Sequence, residues 1–161
     1  MPTRTESQLD LNGFLCFSIY ETNQAFNQFY RPLLEKIGLT YTQYLVLVSL
    51  WTRDNQTVKD IGQAVSLESS TLTPLLKRLE KLGLIGRARD AEDERQTRIT
   101  LTEKGSKLRE DAAVIPACVS DALGMSAQQI ADVQRLMQSM RANLRKAAAR
   151  CRKPGISPVE T

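Results

Sequence analysis

The hydrophobic period changes once, sharply, between Thr57 and Thr102, and that change leaves few folds open to the chain. Residues 58–65 (VKDIGQAV) and 69–83 (SSTLTPLLKRLEKLG) are two short amphipathic helices parted by the polar triplet SLE, with Thr57 placed as N-cap of the first. Ile61, Ala64 and Val65 can pack on Leu72, Leu75, Leu76 and Leu79, which is a helix-turn-helix pattern. Pro74 lacks a backbone donor and is expected to disturb the early turns of the second helix. Past Gly83 the period falls to two. Residues 84–90 and 95–102 alternate around the acidic tip AEDE, with Ile99 and Leu101 on one face and Arg98 and Thr100 on the other. A helical pair followed at once by a β-hairpin reads as a winged helix-turn-helix.

Further helices flank this head. Leu11, Leu15, Ile19, Phe26 and Phe29, widened by Phe14, Phe17 and Ala25, predict a long first helix over 9–29, with a stripe wider than one packing face requires. After Pro32 and Gly38, Thr40 and Gln43 form a T-x-x-Q capping box opening YTQYLVLVSLW, whose nearly all-round apolar character predicts burial. Thr102 is placed to cap another helix, bent or interrupted at Pro116. Ser126 and Gln129 box the start of a last one, striped by Ile130, Val133, Met137, Met140 and Leu144. The fold class is therefore mostly α with a small β-hairpin wing. Terminal helices with apolar stripes outside the head find partners most economically in each other, as a homodimer through the N- and C-terminal helices. The organisation along the chain is 9–50 for the N-terminal helices, 51–102 for the winged head, 103–150 for the C-terminal helices, and 151–161 for a Pro/Gly-rich tail expected to be disordered.

Composition narrows the chemistry. The 161 residues contain no histidine, which removes Ser-His-Asp and Cys-His nucleophile pairs, His-containing zinc sites and an imidazole pH switch. No cofactor or metal is expected, and no enzymatic activity. The start MPTRTESQLD has no secretory character and no stretch reaches the ~18 apolar residues of a membrane span, so a cytoplasmic, membrane-free protein is expected. Thiols stay reduced there. Cys16, Cys118 and Cys151 are then no disulfide scaffold, and no CxxC suggests a metal clip.

The charge of +4 and pI of about 9.1 suggest a polyanionic partner, but location decides. Residues 141–153 hold six of the 22 basic side chains and no acidic one, leaving 16 basic against 18 acidic, or −2, elsewhere. The alkaline pI is thus no DNA signature. Double-stranded DNA is favoured over an interaction-only winged helix by what sits on the head. Ser69, Ser70, Thr71 and Thr73 are small hydrogen-bonding side chains in the first turn of the reading helix. Lys77, Arg78, Arg87, Arg89, Arg95 and Arg98 supply positive charge on helix and wing, with the acidic tip turned from phosphate.

LTYTQYLVLVSLW, SSTLTPLLKRLEKLGLI and DERQTRITLTEKG resemble the MarR family of dimeric winged-helix regulators over residues 9–120, including its wing D-x-R signature at Asp93 and Arg95. LCFSIY, QFYRPLL, LTYTQY and TLTP are similar to the organic-hydroperoxide-sensing repressor branch, two-cysteine subtype. The resemblance implies a repressor of pseudo-palindromic operators with Arg95 on DNA. It also implies Cys16 as peroxidatic thiol, Tyr30 and Tyr41 hydrogen-bonding it from the other subunit, Tyr20 as a further pocket tyrosine, and Cys118 as the resolving thiol. Cys151, among Arg150, Arg152 and Lys153, is a rival partner.

Helical geometry agrees with a site shared between subunits. Tyr30 lies fourteen residues beyond Cys16 on one predicted helix, about 21 Å along its axis, so the two cannot touch within a chain. Antiparallel pairing of two such helices would bring them together twice. Tyrosine donors favour a thiolate, whereas Phe14, Leu15 and Phe17 oppose it by desolvation. Oxidation to sulfenic acid and then an intersubunit disulfide would require the helices to move, spoiling the spacing of the reading helices and releasing DNA. Two alternatives are a regulator answering a small aromatic ligand with incidental cysteines, and a thiol peroxidase, for which no thioredoxin-like sheet is legible.

Overall fold

Residues 10–90, 93 and 95–151 are described by a computed structural model. A 3-10 turn, Leu11–Gly13, precedes α1 (Leu15–Glu35) and α2 (Tyr41–Thr52). These lead to β1 (Gln56–Thr57), α3 (Val58–Val65), α4 (Ser69–Lys81), β2 (Ile85–Arg89) and β3 (Thr97–Leu101). Helices α5 (Glu103–Ala112), α6 (Ile115–Leu123) and α7 (Ala127–Cys151) follow. The chain divides into two compact units, one ending at Ile115 and one beginning at Pro116.

In the first unit the core forms where the apolar faces of α2, α3 and α4 meet the sheet. Val46, Leu47, Leu50, Ile61, Leu72, Leu76, Leu79 and Ile99 are all buried, as is Leu34 from α1. Thr57 caps α3 with a full box: its hydroxyl accepts the Asp60 N–H at 3.1 Å, and Asp60 accepts the Thr57 N–H at 3.2 Å. Those bonds from Thr57, with help from Arg53, hold the Asp60 carboxyl below the usual range. The predicted helix-turn-helix is present, although Ala64 is exposed rather than packed.

The sheet has order β1-β3-β2, antiparallel throughout. The predicted hairpin pairs Ile85 with Leu101 and Arg89 with Thr97. Strand β1, not predicted, adds Gln56 and Thr57 opposite Ile99 and Arg98; two residues carry no readable period.

Three helix expectations change. The first helix starts at Leu15 instead of Leu9 and runs through Pro32 to Glu35: the proline is exposed, and Leu34, a half-turn on, anchors in the core. Helix α4 likewise continues unbroken through Pro74, an exposed position on its solvent side. The break near Pro116 falls before it, at residues 113–114, which puts the proline in the first turn of α6 where no donor is needed.

In the second unit Gly124, at φ 59°, ends α6, and the Ser126/Gln129 box starts α7 with bonds of 2.8 and 3.2 Å. Helix α7 has no buried residue along its 25 positions. Cys151 closes it; the rest of the tail expected to be disordered, 152–161, lies outside the described residues.

Candidate functional site

The head presents two polar edges. Ser69, Ser70 and Thr71 are exposed in the first turn of α4, and Lys77 and Arg78 are exposed further along. Thr73 is half-buried, and its hydroxyl donates back to the Ser69 carbonyl at 2.7 Å. On the wing, Arg89 and Arg95 are exposed. Asp93 organises the turn behind Arg95, accepting its N–H at 3.1 Å and the Gln96 side-chain amide at 3.0 Å. Ala91, Glu92 and Glu94 of the acidic tip lie outside the described residues.

Two wing arginines grouped with the DNA contacts are engaged inside the fold instead. Arg98 donates through Nε to the buried carboxylate of Asp90 and through Nη1 to the Asn55 carbonyl at 2.9 Å. Arg87 pairs with Glu80 of α4 at 3.7 Å, and its Nε is buried without a hydrogen-bond partner. Both sit half-buried on their strands, each within reach of a carboxylate.

Cys16 and Tyr30 occupy opposite ends of α1. Cys16 is its second residue and is exposed; Tyr20, one turn on, is exposed and stacks on Phe17 with ring centroids 6.3 Å apart. At the far end Tyr30 meets Tyr41 of α2 at 4.7 Å and Tyr44 at 6.1 Å, and Tyr44 reaches Trp51 at 6.2 Å. Tyr44, 7% exposed, is the member that sequence reading missed; its i+3 spacing from Tyr41 was the available signal. Beside this cluster a cleft of about 430 Å³ is lined by Arg31, Asn27, Thr40 and Tyr41 over Leu34 and Leu39. Cys118 is half-buried on α6, and Cys151 is exposed. Among the described residues no cluster of His, Cys, Asp or Glu could hold a metal ion, and no helix is long and apolar enough to cross a membrane.

Burial pushes the Tyr30 phenol from 10.0 up to about 12, with Tyr41 and Tyr44 adding to the rise; burial raises Tyr41 and Tyr44 as well. All three therefore stay protonated donors through the physiological range. A phenol whose folded value exceeds its unfolded one contributes stability fully below pH 10.0 and loses it as pH climbs toward about 12. Tyrosinate absorbance should accordingly rise late and together with alkaline unfolding. Complete ionisation near pH 10 in a still-folded protein would mean the cluster is open to water.

The sequence pattern of the transcriptional regulator SarA/Rot family matches residues 28–112. The chain belongs to that family. The regulator is also 43% identical over 132 residues to the organic hydroperoxide resistance transcriptional regulator of Bacillus subtilis, covering 82% of this chain and 88% of that one. Its fold matches reduced AbfR bound to DNA at TM-score 0.74 and 38% identity, covering 87% of this chain and 99% of that one; AbfR comes from Staphylococcus epidermidis. Disulfide-formed AbfR matches at 0.60 and 40% identity, over 84% and 96%. The regulator is thus a MarR-like winged-helix protein, mostly helical with a three-stranded antiparallel sheet.

Proposed function

We propose that this regulator is a thiol-based repressor that holds pseudo-palindromic duplex operator DNA as a homodimer while Cys16 is reduced, and releases it when an organic hydroperoxide oxidises that thiol. One observation carries the reading: an exposed Cys16 stands at the start of α1, and the Tyr30–Tyr41 pair lies at its far end. Helical rise separates them by about 21 Å, so they cannot touch within one chain, and a second, antiparallel α1 would join them. Exposed apolar side chains on α1 supply surface for it, among them Leu15 at 61% and Ile19 at 36%. The name of the Bacillus subtilis relative and the reduced DNA-bound and disulfide forms of AbfR support the same direction.

The chemistry follows from those groups. The partner subunit's tyrosine hydroxyls donate to the Cys16 thiolate, which attacks the terminal peroxide oxygen. The O–O bond breaks, sulfur gains that oxygen as sulfenic acid, and the alkoxide leaves as alcohol after taking a proton. The Cys118 thiol of the other chain then displaces water from the sulfenic sulfur to form a disulfide. Each Cys16 consumes one peroxide and the ensuing disulfide takes up two thiols; the protein acts in this reading as a switch, its readout the DNA it holds rather than the peroxide it removes. A disulfide holds Cα atoms within about 7 Å, and helix movement to reach that distance shifts the two α4 helices off the one-turn spacing of successive major grooves. In the reduced dimer Ser69, Ser70 and Thr71 face base edges while Lys77, Arg78, Arg89 and Arg95 face phosphates.

Mobility shifts on an operator fragment test the reading. Equimolar cumene hydroperoxide should release the DNA and produce a covalent dimer on non-reducing gels whose peptide map joins Cys16 to Cys118. A dimer that persists in Cys118→Ser and vanishes in Cys151→Ser would move the resolving role to Cys151. Release by an aromatic carboxylate with all thiols blocked would instead favour the cleft beside Tyr41, with Arg31 at its lip, as the inducer site.

A further inference from the structure

The wing is a two-stranded ribbon, a structure with little stability of its own. Toward its tip, by contrast, it is tied back to the head by a small network. Asp90, at the end of β2, is 6% exposed, and its carboxylate accepts from Arg98 Nε and from the Asp93 N–H at 3.1 Å. The Asp90 N–H closes the hairpin by donating to the Gln96 carbonyl at 3.0 Å. Arg98 lies on the central strand, opposite Ala88 on one side and Thr57 on the other, and its second donor reaches Asn55 in the turn between α2 and β1. That turn is itself held: Asn55 takes a left-handed φ of 54°, and Asp54 Oδ1 accepts the Asn55 N–H at 2.7 Å and the Leu101 N–H at 2.9 Å.

We propose that Asp90 and Arg98, braced on Asn55, are positioning residues that set the angle of the wing on the head, so that exposed Arg95 and Arg89 meet DNA phosphates at a fixed reach from α4. Arg98 itself touches no phosphate. The proposal rests on the reading that this protein binds duplex DNA through α4 and the wing. Its physical basis is the forked guanidinium, which bonds a carboxylate and a carbonyl at once; an ammonium, a point donor on a flexible stem, cannot reproduce that bridge.

The sign of one substitution separates positioning from simple charge. Asp90→Asn removes a negative charge from a DNA-binding face, so charge alone predicts tighter binding, whereas loss of the brace predicts weaker binding. Fluorescence anisotropy on an operator duplex across a salt series, with full-length dimers, reads the difference. Asp90→Asn, Arg98→Lys and Arg98→Gln should each bind roughly tenfold more weakly, the scale of one coupled pair, and the Asp90→Asn/Arg98→Gln double variant no more weakly than Arg98→Gln. Arg95→Gln should flatten the dependence of log affinity on log salt by about 0.9 for each phosphate that it leaves unneutralised. Asp90→Asn binding as tightly as the wild type, or Arg98→Lys keeping full affinity, overturns the proposal. A wild-type protein with no salt-dependent duplex binding defeats the DNA reading instead. Should Asp90→Asn melt early, Arg98→Lys decides alone.

Discussion

Cys16→Ser is expected to stay on its operator through a hundredfold excess of cumene hydroperoxide that strips the wild type at equimolar dose. A serine hydroxyl remains protonated at neutral pH and is no nucleophile toward an O–O bond, so the first covalent step disappears and nothing downstream can begin. Because serine is nearly isosteric with cysteine and its hydroxyl can still accept from the partner subunit's tyrosines, the replacement should leave reduced-state affinity and melting close to those of the wild type. The measurement is the ratio of peroxide doses that release half the complex. An unchanged ratio would place the sensing thiol elsewhere and leave Cys16 no part in release.

The second large effect concerns the joint that seats α5 against the wing. In an ordinary helix Gly→Ala stabilises by about 1 kcal/mol. At Gly105 the sign should reverse, because a Cβ there would fall on the Leu84 carbonyl, backbone that cannot rotate away. The same few atoms carry the local bonding. The Leu84 carbonyl accepts the Thr102 N–H at 3.1 Å, the Thr102 hydroxyl donates to the Gly83 carbonyl at 2.7 Å and accepts the Gly105 N–H at 3.0 Å, and Trp51 donates to the Gly105 carbonyl at 2.9 Å. Pushing α5 outward loosens all of them. Overpacking together with a broken hydrogen bond gives about 3 kcal/mol of destabilisation, roughly 6–12 °C in melting temperature for a chain of this size. Trp51 fluorescence during urea unfolding reports it directly. A Gly105→Ala protein as stable as the wild type would mean that α5 can retreat from Leu84 at no cost.

Much of this molecule is readable from local sequence alone. The caps at Thr40, Thr57, Thr102 and Ser126 form as their spacing predicts, since a capping bond spans three residues and depends on little else. The helix-turn-helix and the hairpin follow from period. Pro32 and Pro74 mislead, because each sits at an exposed position and the cost of its missing donor is offset by buried residues just beyond it, Leu34 and Leu76. Strand β1 is invisible in the sequence, being two residues that become a strand only by pairing with β3.

The candidate site divides along the same line. Cys16, Tyr30 and Tyr41 are legible as a family pattern, and their placement at the two ends of α1 is legible from helical rise. The third phenol, Tyr44, shares a face with Tyr41 by its i+3 spacing, but its burial against Tyr30 depends on how α2 meets α1. The wing arginines make the contrast clearest. In the sequence Arg87, Arg89, Arg95 and Arg98 are equivalent positive charges on one hairpin. The fold turns Arg87 to Glu80 and Arg98 to Asp90 and Asn55, while Arg89 and Arg95 stay exposed. Local periodicity and caps are set within a few residues and so are written in the chain; which charge meets which carboxylate depends on strand register and on helices distant in sequence, and only packing decides that.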